Sequence, residues 1–272
     1  MRELLPALLV VGAVAFTPSS ATALPAGFVY LSDLDPTIEQ DIRYAGPDNF
    51  IGRPIAGYRD NTCILTRPAA RALVRVQRRL RADGLTLRVY DCFRPVSAVN
   101  DFRRWAAGAD GTRMRAIYYP RYRKSTLFRR GFIARRSAHS RGSAVDLAIT
   151  RYTGLPVPAR TAARIRSGPC HTRPGSLRDG TLDFGTAFDC FHPLSATDDR
   201  RIGPVAQRNR QLLKRLMAQA GFRNYRKEWW HYTLNREPFP RRYFDFPVQR
   251  RSSAAPRRQV LQNPTRKPFV QR

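Results

Sequence analysis

Acid is scarce in this chain. Twenty aspartates and glutamates face 49 lysines and arginines, for a net charge of +29 over 272 residues. That balance implies attraction to polyanions: nucleic acid, anionic lipid headgroups or acidic cell-wall polymers. No RNA-binding aromatic signature and no zinc-finger spacing accompany the charge, which argues against specific nucleic-acid recognition. Cysteine is limited to Cys63, Cys92, Cys170 and Cys190, without a close CxxC pair, and that spacing argues against a zinc site built from four cysteines. No internal repeat is present. Long apolar runs are also missing, apart from `LLPALLVVGAVAF` after Met1, Arg2 and Glu3, which is too short and alanine-rich for a membrane span.

That run, followed by `SSATA`, reads as a secretory signal peptide over residues 1–23, with cleavage after Ala23. No cysteine stands at the cleavage point to carry a lipid. Export to the periplasm or cell envelope follows, with anionic lipid and cell-wall polymers as the accessible polyanions. In an oxidising compartment four cysteines predict two disulfides. Proximity in sequence pairs Cys63 with Cys92 and Cys170 with Cys190; a reduced, buried pair is the alternative.

Residues 24–240 contain the pattern of one compact domain. Pro36 opens a short helix through Glu39. Thr66 is placed to cap a helix that carries Ala69, Leu73, Val76 and Leu80 on one face and stops at Gly84. `LTLRVYD` alternates as a strand, and a second helix starts near Ser97 with Phe102 and Trp105. Residues 107–137 are loop-like and basic, suited to a lid or partner surface. Ser143 to Ile149 reads as a central strand, and 151–180 as an insertion closed by a disulfide. A further helix runs from Pro204 to Ala220 with Leu212, Leu213, Leu216 and Met217 inward. The fold class expected is α+β, a single domain with a central, mainly antiparallel sheet flanked by helices. Residues 241–272 carry nine basic residues against Asp245 and four prolines, and read as a flexible basic tail suited to an anionic cell-wall or membrane surface.

The chemistry concentrates where acid and histidine meet. In `SAHSRGSAVD`, His139 precedes Asp146 by seven positions, and Asp146 stands between Val145 and Leu147 in a buried strand. A buried carboxylate needs a cation or hydrogen bonds. Gly142 lets the chain turn so that His139 returns beside it. In `EWWH`, Glu228 and His231 reach one cleft through a bulge or a strand that starts after Glu228. Two histidines, an aspartate and an open fourth position suit one catalytic zinc ion. The bland readings are an aspartate bonded to a loop, a surface glutamate beside Lys227 and a histidine packed among aromatics. His192 competes as a ligand, and His171 is least central. Arg94, in `YDCFRP` at a strand end, could stabilise charge on a carbonyl oxygen.

These segments, with `DLDPTIEQDIRY`, `NFIGRPIAGY` and `DFGTAFD`, occur in an order that resembles the zinc D-alanyl-D-alanine dipeptidases, relatives of the D,D-carboxypeptidase-type cell-wall peptidases. The resemblance covers Phe28 to Pro240. It implies His139, Asp146 and His231 as zinc ligands, Glu228 as the catalytic carboxylate and Arg94 as the oxyanion-stabilising arginine. It also implies Ser137 as a contact for the substrate carboxylate and Asp183 as part of the pocket for its free amine. Phe184 stands where family members often carry methionine. The implied substrate is the D-Ala-D-Ala dipeptide. An exported peptidoglycan carboxypeptidase or endopeptidase is the second reading, and a non-catalytic cell-wall or polyanion-binding protein the third.

Overall fold

The computed structural model describes residues 23–109, 111–154, 169–171 and 180–251. Residues 1–22 of the segment read above as a signal peptide, most of the 151–180 insertion and the tail beyond residue 251 lie outside the described residues. The strands are β1 (Phe28–Tyr30), β2 (Glu39–Gln40), β3 (Ile64–Thr66), β4 (Leu85–Asp91), β5 (Ala144–Arg151), β6 (Phe222–Asn224) and β7 (His231–Leu234). The helices are α1 (Arg67–Arg81), α2 (Val96–Ala107), α3 (Arg115–Tyr118), α4 (Leu127–Arg130) and α5 (Pro204–Gln219). A five-stranded sheet has the order β2-β4-β5-β7-β6. Its β2–β4 pair is parallel and its other pairs antiparallel, and β1 pairs antiparallel with β3 in a separate ribbon. This is the α+β domain expected from the sequence.

Central β5 is buried along its length except for Arg151, so its side chains meet protein on both faces. The pairing puts Asp146 opposite His231 on one side and Asp91 on the other. Directly opposed residues share a face, so three polar groups line up across the sheet. A register shift between Val89 and Asp91 makes this possible. Without it Asp91 would follow the alternation of β4 to the other face. Val145 and Leu147 point the opposite way, with Tyr232 opposite Val145 and near Arg210 of α5. Helices α1 and α5 pack together behind that apolar face.

The apolar stripe of α1 buries Ala69, Leu73, Val76 and Leu80, each large side chain contributing about 1.5–3 kcal/mol on burial. Gln77 adds a polar anchor: its Oε1 accepts from the Leu87 N–H at 2.8 Å and its Nε2 donates to Thr86 Oγ1 at 2.8 Å. Thr66 does precede α1, but its side chain does not cap it. As the last residue of β3, it spends its hydroxyl on Ser143 at 2.7 Å.

Three local expectations fail for identifiable reasons. Residues 36–39 form no helix, because Glu39 and Gln40 pair with Arg88 and Val89 as a strand. Residues 107–137 are no free lid. Tyr118, Tyr119 and Leu127 are fully buried there, and the Lys124 ammonium donates to the Trp105 carbonyl at 2.6 Å. The packed chain also continues past Arg241 to Arg250. Phe244 and Val248 are buried, and Phe246 stacks on Phe93 with ring centroids 4.0 Å apart. The aromatic residues of `YFDFPV` outweigh the charge around them.

Both disulfides join the cysteines paired from sequence, Cys63 to Cys92 and Cys170 to Cys190.

Candidate active site

His139 sits in a single turn of 3-10 helix, residues 138–141, that Gly142 ends at φ 77°. A Cβ at residue 142 would lie 2.2 Å from Phe28 Cε1, so glycine is required for space as well as for backbone. This reversal returns His139 toward β5. Its Nδ1–H donates to the Cys92 carbonyl at 2.7 Å, which leaves Nε2 with a lone pair. His231, first residue of β7, has its Nε2 3.3 Å from Thr233 Oγ1, and Nδ1 is the nitrogen turned inward.

The inward atoms form a triangle. His139 Nε2 lies 3.1 Å from His231 Nδ1, His231 Nδ1 lies 2.9 Å from Asp146 Oδ1, and His139 Nε2 lies 3.3 Å from Asp146 Oδ1. Donors about 2.0–2.1 Å from a tetrahedral ion are about 3.3–3.4 Å apart, so the triangle is close to the size that zinc requires. The donor chemistry also fits. Burial lowers the His231 pKa and keeps its imidazole neutral, despite Asp146 beside it. Burial works against an ionised Asp146, but imidazole protons that face it when no cation does outweigh burial and hold the carboxyl well below its usual range. Two nitrogen lone pairs 3.1 Å apart repel unless a cation lies between them. The carbonyl behind His139 is the outer support that metal-ligating histidines normally have.

Arg94 follows β4 and is locked in place. Its Nε and Nη2 both reach Asp91 Oδ2, at 2.9 and 2.8 Å. Tyr58 donates to the other oxygen of Asp91 at 2.5 Å. Tyr44 and Phe102 lie beneath the guanidinium, their ring centroids 5.0 and 5.3 Å from Cζ. From this mount Nη2 comes within 3.6 Å of Asp146 Oδ2, and Nη1 within 3.5 Å of Ser137 Oγ. Asp91 itself is a member of the site that motif reasoning passed over. The Ser137 hydroxyl oxygen accepts from the His139 N–H at 3.2 Å, leaving its proton free to donate.

Glu228 lies in the turn just before β7, where its N–H donates to the Tyr225 carbonyl at 2.9 Å. Since the strand starts only at His231, no bulge is needed to bring both residues to the cleft. Trp229 and Trp230 are buried between them and fix the turn. Burial, with the charges of Asp146 and Asp189 nearby, pushes the Glu228 pKa well up. Its carboxylate makes no hydrogen bond among the described residues.

Asp183 does not join this group. Its carboxylate accepts from the Gly185 N–H at 2.7 Å and closes a local turn. The acid of `DFGTAFD` that does face the cleft is Asp189. It is buried and accepts from Tyr44 Oη at 2.8 Å. Burial, together with the charge of Asp146, raises its pKa to about 7. Its φ is 56°, the one positive value at a non-glycine residue among those described. Buried Arg210 holds the surrounding loop through the carbonyls of Phe184, Leu194 and Ala196, at 2.7–2.9 Å. The signal for Asp189 was present in the sequence: it is the acid set between Phe188 and Cys190, whereas Asp183 leads into a glycine turn.

The competing histidines lie in a pair of their own. His192 stacks on His171 with centroids 4.2 Å apart, beside the Cys170–Cys190 disulfide. His192 Nδ1 is occupied by the Leu194 N–H at 3.1 Å. Sulfurs bonded to each other are not thiolate ligands.

The assembled cleft has counterparts in known proteins. A family described as D-ala-D-ala dipeptidase, within the M15 peptidases, matches residues 25–158 and 173–249. A D-alanyl-D-alanine dipeptidase of Streptomyces coelicolor is 37% identical over 81% of this chain and 98% of its own length. One from Enterococcus faecalis is 36% identical over 82% and 98%. One from Escherichia coli is 30% identical over 76% and 83%. The family match skips residues 159–172, inside the insertion read from the sequence. With most of its length aligned and a metal-competent His-Asp-His cluster at its centre, the chain belongs to the M15 family of D-Ala-D-Ala dipeptidases.

Proposed function

We propose that this protein is an exported zinc dipeptidase that hydrolyses free D-alanyl-D-alanine to two D-alanines. The observation that carries the reading is the convergence of His139, Asp146 and His231 with Glu228, Arg94 and Asp189 around one buried cleft. Zinc held by the three ligands would supply Lewis acidity at the scissile carbonyl and acidify a water.

Glu228 is the proton carrier. A desolvated carboxylate with a raised pKa is a stronger base than one in water, and free of hydrogen bonds it can turn between water and leaving amine. It takes one proton from the attacking water and delivers it to the amine as the peptide bond breaks. Arg94 faces the carbonyl oxygen, where negative charge develops. Its double contact with Asp91 keeps the guanidinium from having to reorganise at that moment. Ser137 donates its hydroxyl proton to the substrate carboxylate.

Asp189 with Tyr44, in place of Asp183, receives the substrate ammonium. A carboxylate whose pKa is raised by burial gains most from a cation. An N-acylated substrate would leave it buried and unpaired, which ranks the free dipeptide above a peptidoglycan terminus. Two disulfides suit an oxidising compartment.

The test is an assay of zinc-loaded protein on D-Ala-D-Ala, its N-acetyl derivative, L-Ala-L-Ala and a capped pentapeptide ending in D-Ala-D-Ala. Cleavage of the free D,D-dipeptide far above the others is expected. Absence of zinc-dependent D,D-dipeptide cleavage would refute the reading, and preference for the capped pentapeptide would turn it into a carboxypeptidase.

A further inference from the structure

The outer face of α1 is made of arginine. Its exposed residues are Arg67, Pro68, Arg71, Arg75, Arg78 and Arg79, and its other residues are buried or half-buried. No acid occurs between Asp60 and Asp83. The five arginines fall on one stripe at spacings of three and four, with neighbouring rows about 5–6 Å apart on a helix about 22 Å long. None of them forms an ion pair among the described residues. Arg75 leans on the Ala220 carbonyl at 3.2 Å, which leaves Arg67, Arg71, Arg78 and Arg79 uncommitted.

Local physics disfavours this arrangement. Like charges four residues apart destabilise a helix, and cations oppose the macrodipole in its first turn, where Arg67 lies. Buried and half-buried arginines of the domain are neutralised: Arg43 by Asp41 and Asp48, Arg88 by Glu39, Arg94 by Asp91, Arg141 by Glu237. What sets α1 apart is alignment: its exposed arginines follow one another along a single rigid helix with no acid among them.

We propose that α1 docks the enzyme on an anionic phospholipid surface. Guanidinium groups pair with phosphate oxygens through two parallel hydrogen bonds, and juxtamembrane basic clusters adsorb on anionic headgroups. The row forms a ridge, which meets a flat array of phosphates; a linear polymer is better served by a groove. Among the described residues the exposed large hydrophobics are Tyr152, Val205 and Tyr225. None is on α1, so the contact is electrostatic, reversible and salt-sensitive. Since α1 covers the sheet face opposite Asp146, docking leaves the cleft turned away from the lipid and open to a small soluble dipeptide. This moves the anionic contact from the tail expected in sequence to the folded domain.

The experiment compares cosedimentation of the full chain with vesicles of phosphatidylglycerol and phosphatidylcholine against vesicles of phosphatidylcholine alone. Two charge-matched variants accompany it: Arg67→Gln/Arg71→Gln/Arg78→Gln/Arg79→Gln on α1, and Arg257→Gln/Arg258→Gln/Arg266→Gln/Lys267→Gln in the tail. Wild type is expected on anionic vesicles only, with binding that falls as salt rises. The α1 variant should partition at least about tenfold more weakly while keeping its circular dichroism spectrum and dipeptide turnover. The tail variant should lose less. If the fourfold α1 change disturbs folding, Arg71→Gln/Arg78→Gln serves, with an intermediate loss. Retained binding in the α1 variants overturns the proposal, as does equal binding to neutral vesicles. Tighter binding to a soluble glycerophosphate polymer than to vesicles overturns the assignment to a bilayer.

Discussion

On the cleft face of the sheet, Asp91, Asp146, Asp189 and Glu228 lie buried around the Arg94 guanidinium; on the opposite face, α1 presents five arginines to solvent and no acid. The first region concentrates scarce acid where water is excluded, and each group is worth much because the local dielectric is low. The second concentrates abundant base where water screens it, and each group is worth little alone. Net charge thus says almost nothing about the chemistry of the cleft. Substitutions in the cleft should act through single residues, and those on α1 through their sum.

The largest effect is expected at the ligands. His231→Ala removes one of three donors and leaves Asp146 short of a partner, so bound zinc, measured by elemental analysis, and turnover should both fall to background. Glu228→Gln keeps shape and ligands. Loss of proton transfer should lower kcat by roughly 10²–10⁴ while zinc stoichiometry stays at that of wild type. Equal zinc loss in both variants would break the distinction between ligand and base.

Asp189→Asn comes next, and its sign reverses between function and stability. Losing a buried carboxylate partner for an ammonium should lower kcat/KM for the free dipeptide by about 10²–10⁴, on the 3–5 kcal/mol scale of broken buried pairs. In the substrate-free protein the same change should stabilise. The Asp189 pKa rises from an unfolded value near 3.9 to about 7 in the fold. Stability is therefore present in full below about pH 4 and is lost as pH rises through 7. Asparagine has nothing to ionise. The Tm advantage of Asp189→Asn should grow from pH 4 to pH 8, and a constant gap would show that the carboxyl is not desolvated.

The disulfide between Cys63 and Cys92 bears on the site more gently. It tethers the backbone whose carbonyl accepts from His139 at 2.7 Å. Cys63→Ala/Cys92→Ala should lower stability by about 3 kcal/mol and weaken zinc by about 10–100-fold, the scale of outer-shell losses. Unchanged zinc affinity would mean that the sheet alone holds the carbonyl.

The sequence shows the cleft unevenly, and the reasons are physical. His139, Asp146, Glu228 and His231 stand out because histidine and acid are rare here and because a carboxylate in an apolar strand needs an explanation. Asp91 stays hidden, since strict alternation along `LTLRVYD` assigns it to the wrong face until the register shift is known. Asp189 is easily missed because two aspartates bracket `FGTAF`, and its one sequence mark, a place between Phe188 and Cys190, is weak until packing shows which aspartate turns inward. The end of the domain was misjudged for a related reason: charge counts see Arg241 and Arg242, whereas burial is decided by Phe244, Phe246 and Val248.

The smallest effect belongs to the arginine row and tests whether it is under tension. Arg67→Glu places an acid in the first turn of α1, four residues before Arg71. The dipole contributes about 0.3–1 kcal/mol there, and a Glu-to-Arg pair in that order about 0.2–0.5 kcal/mol. Stability should therefore rise by roughly 1 kcal/mol at low salt, and the gain should shrink as salt screens it. A more stable helix that binds anionic vesicles less well would mean that Arg67 is kept against local preference. A helix that loses stability would place Arg67 among the packed side chains and remove it from the docking row.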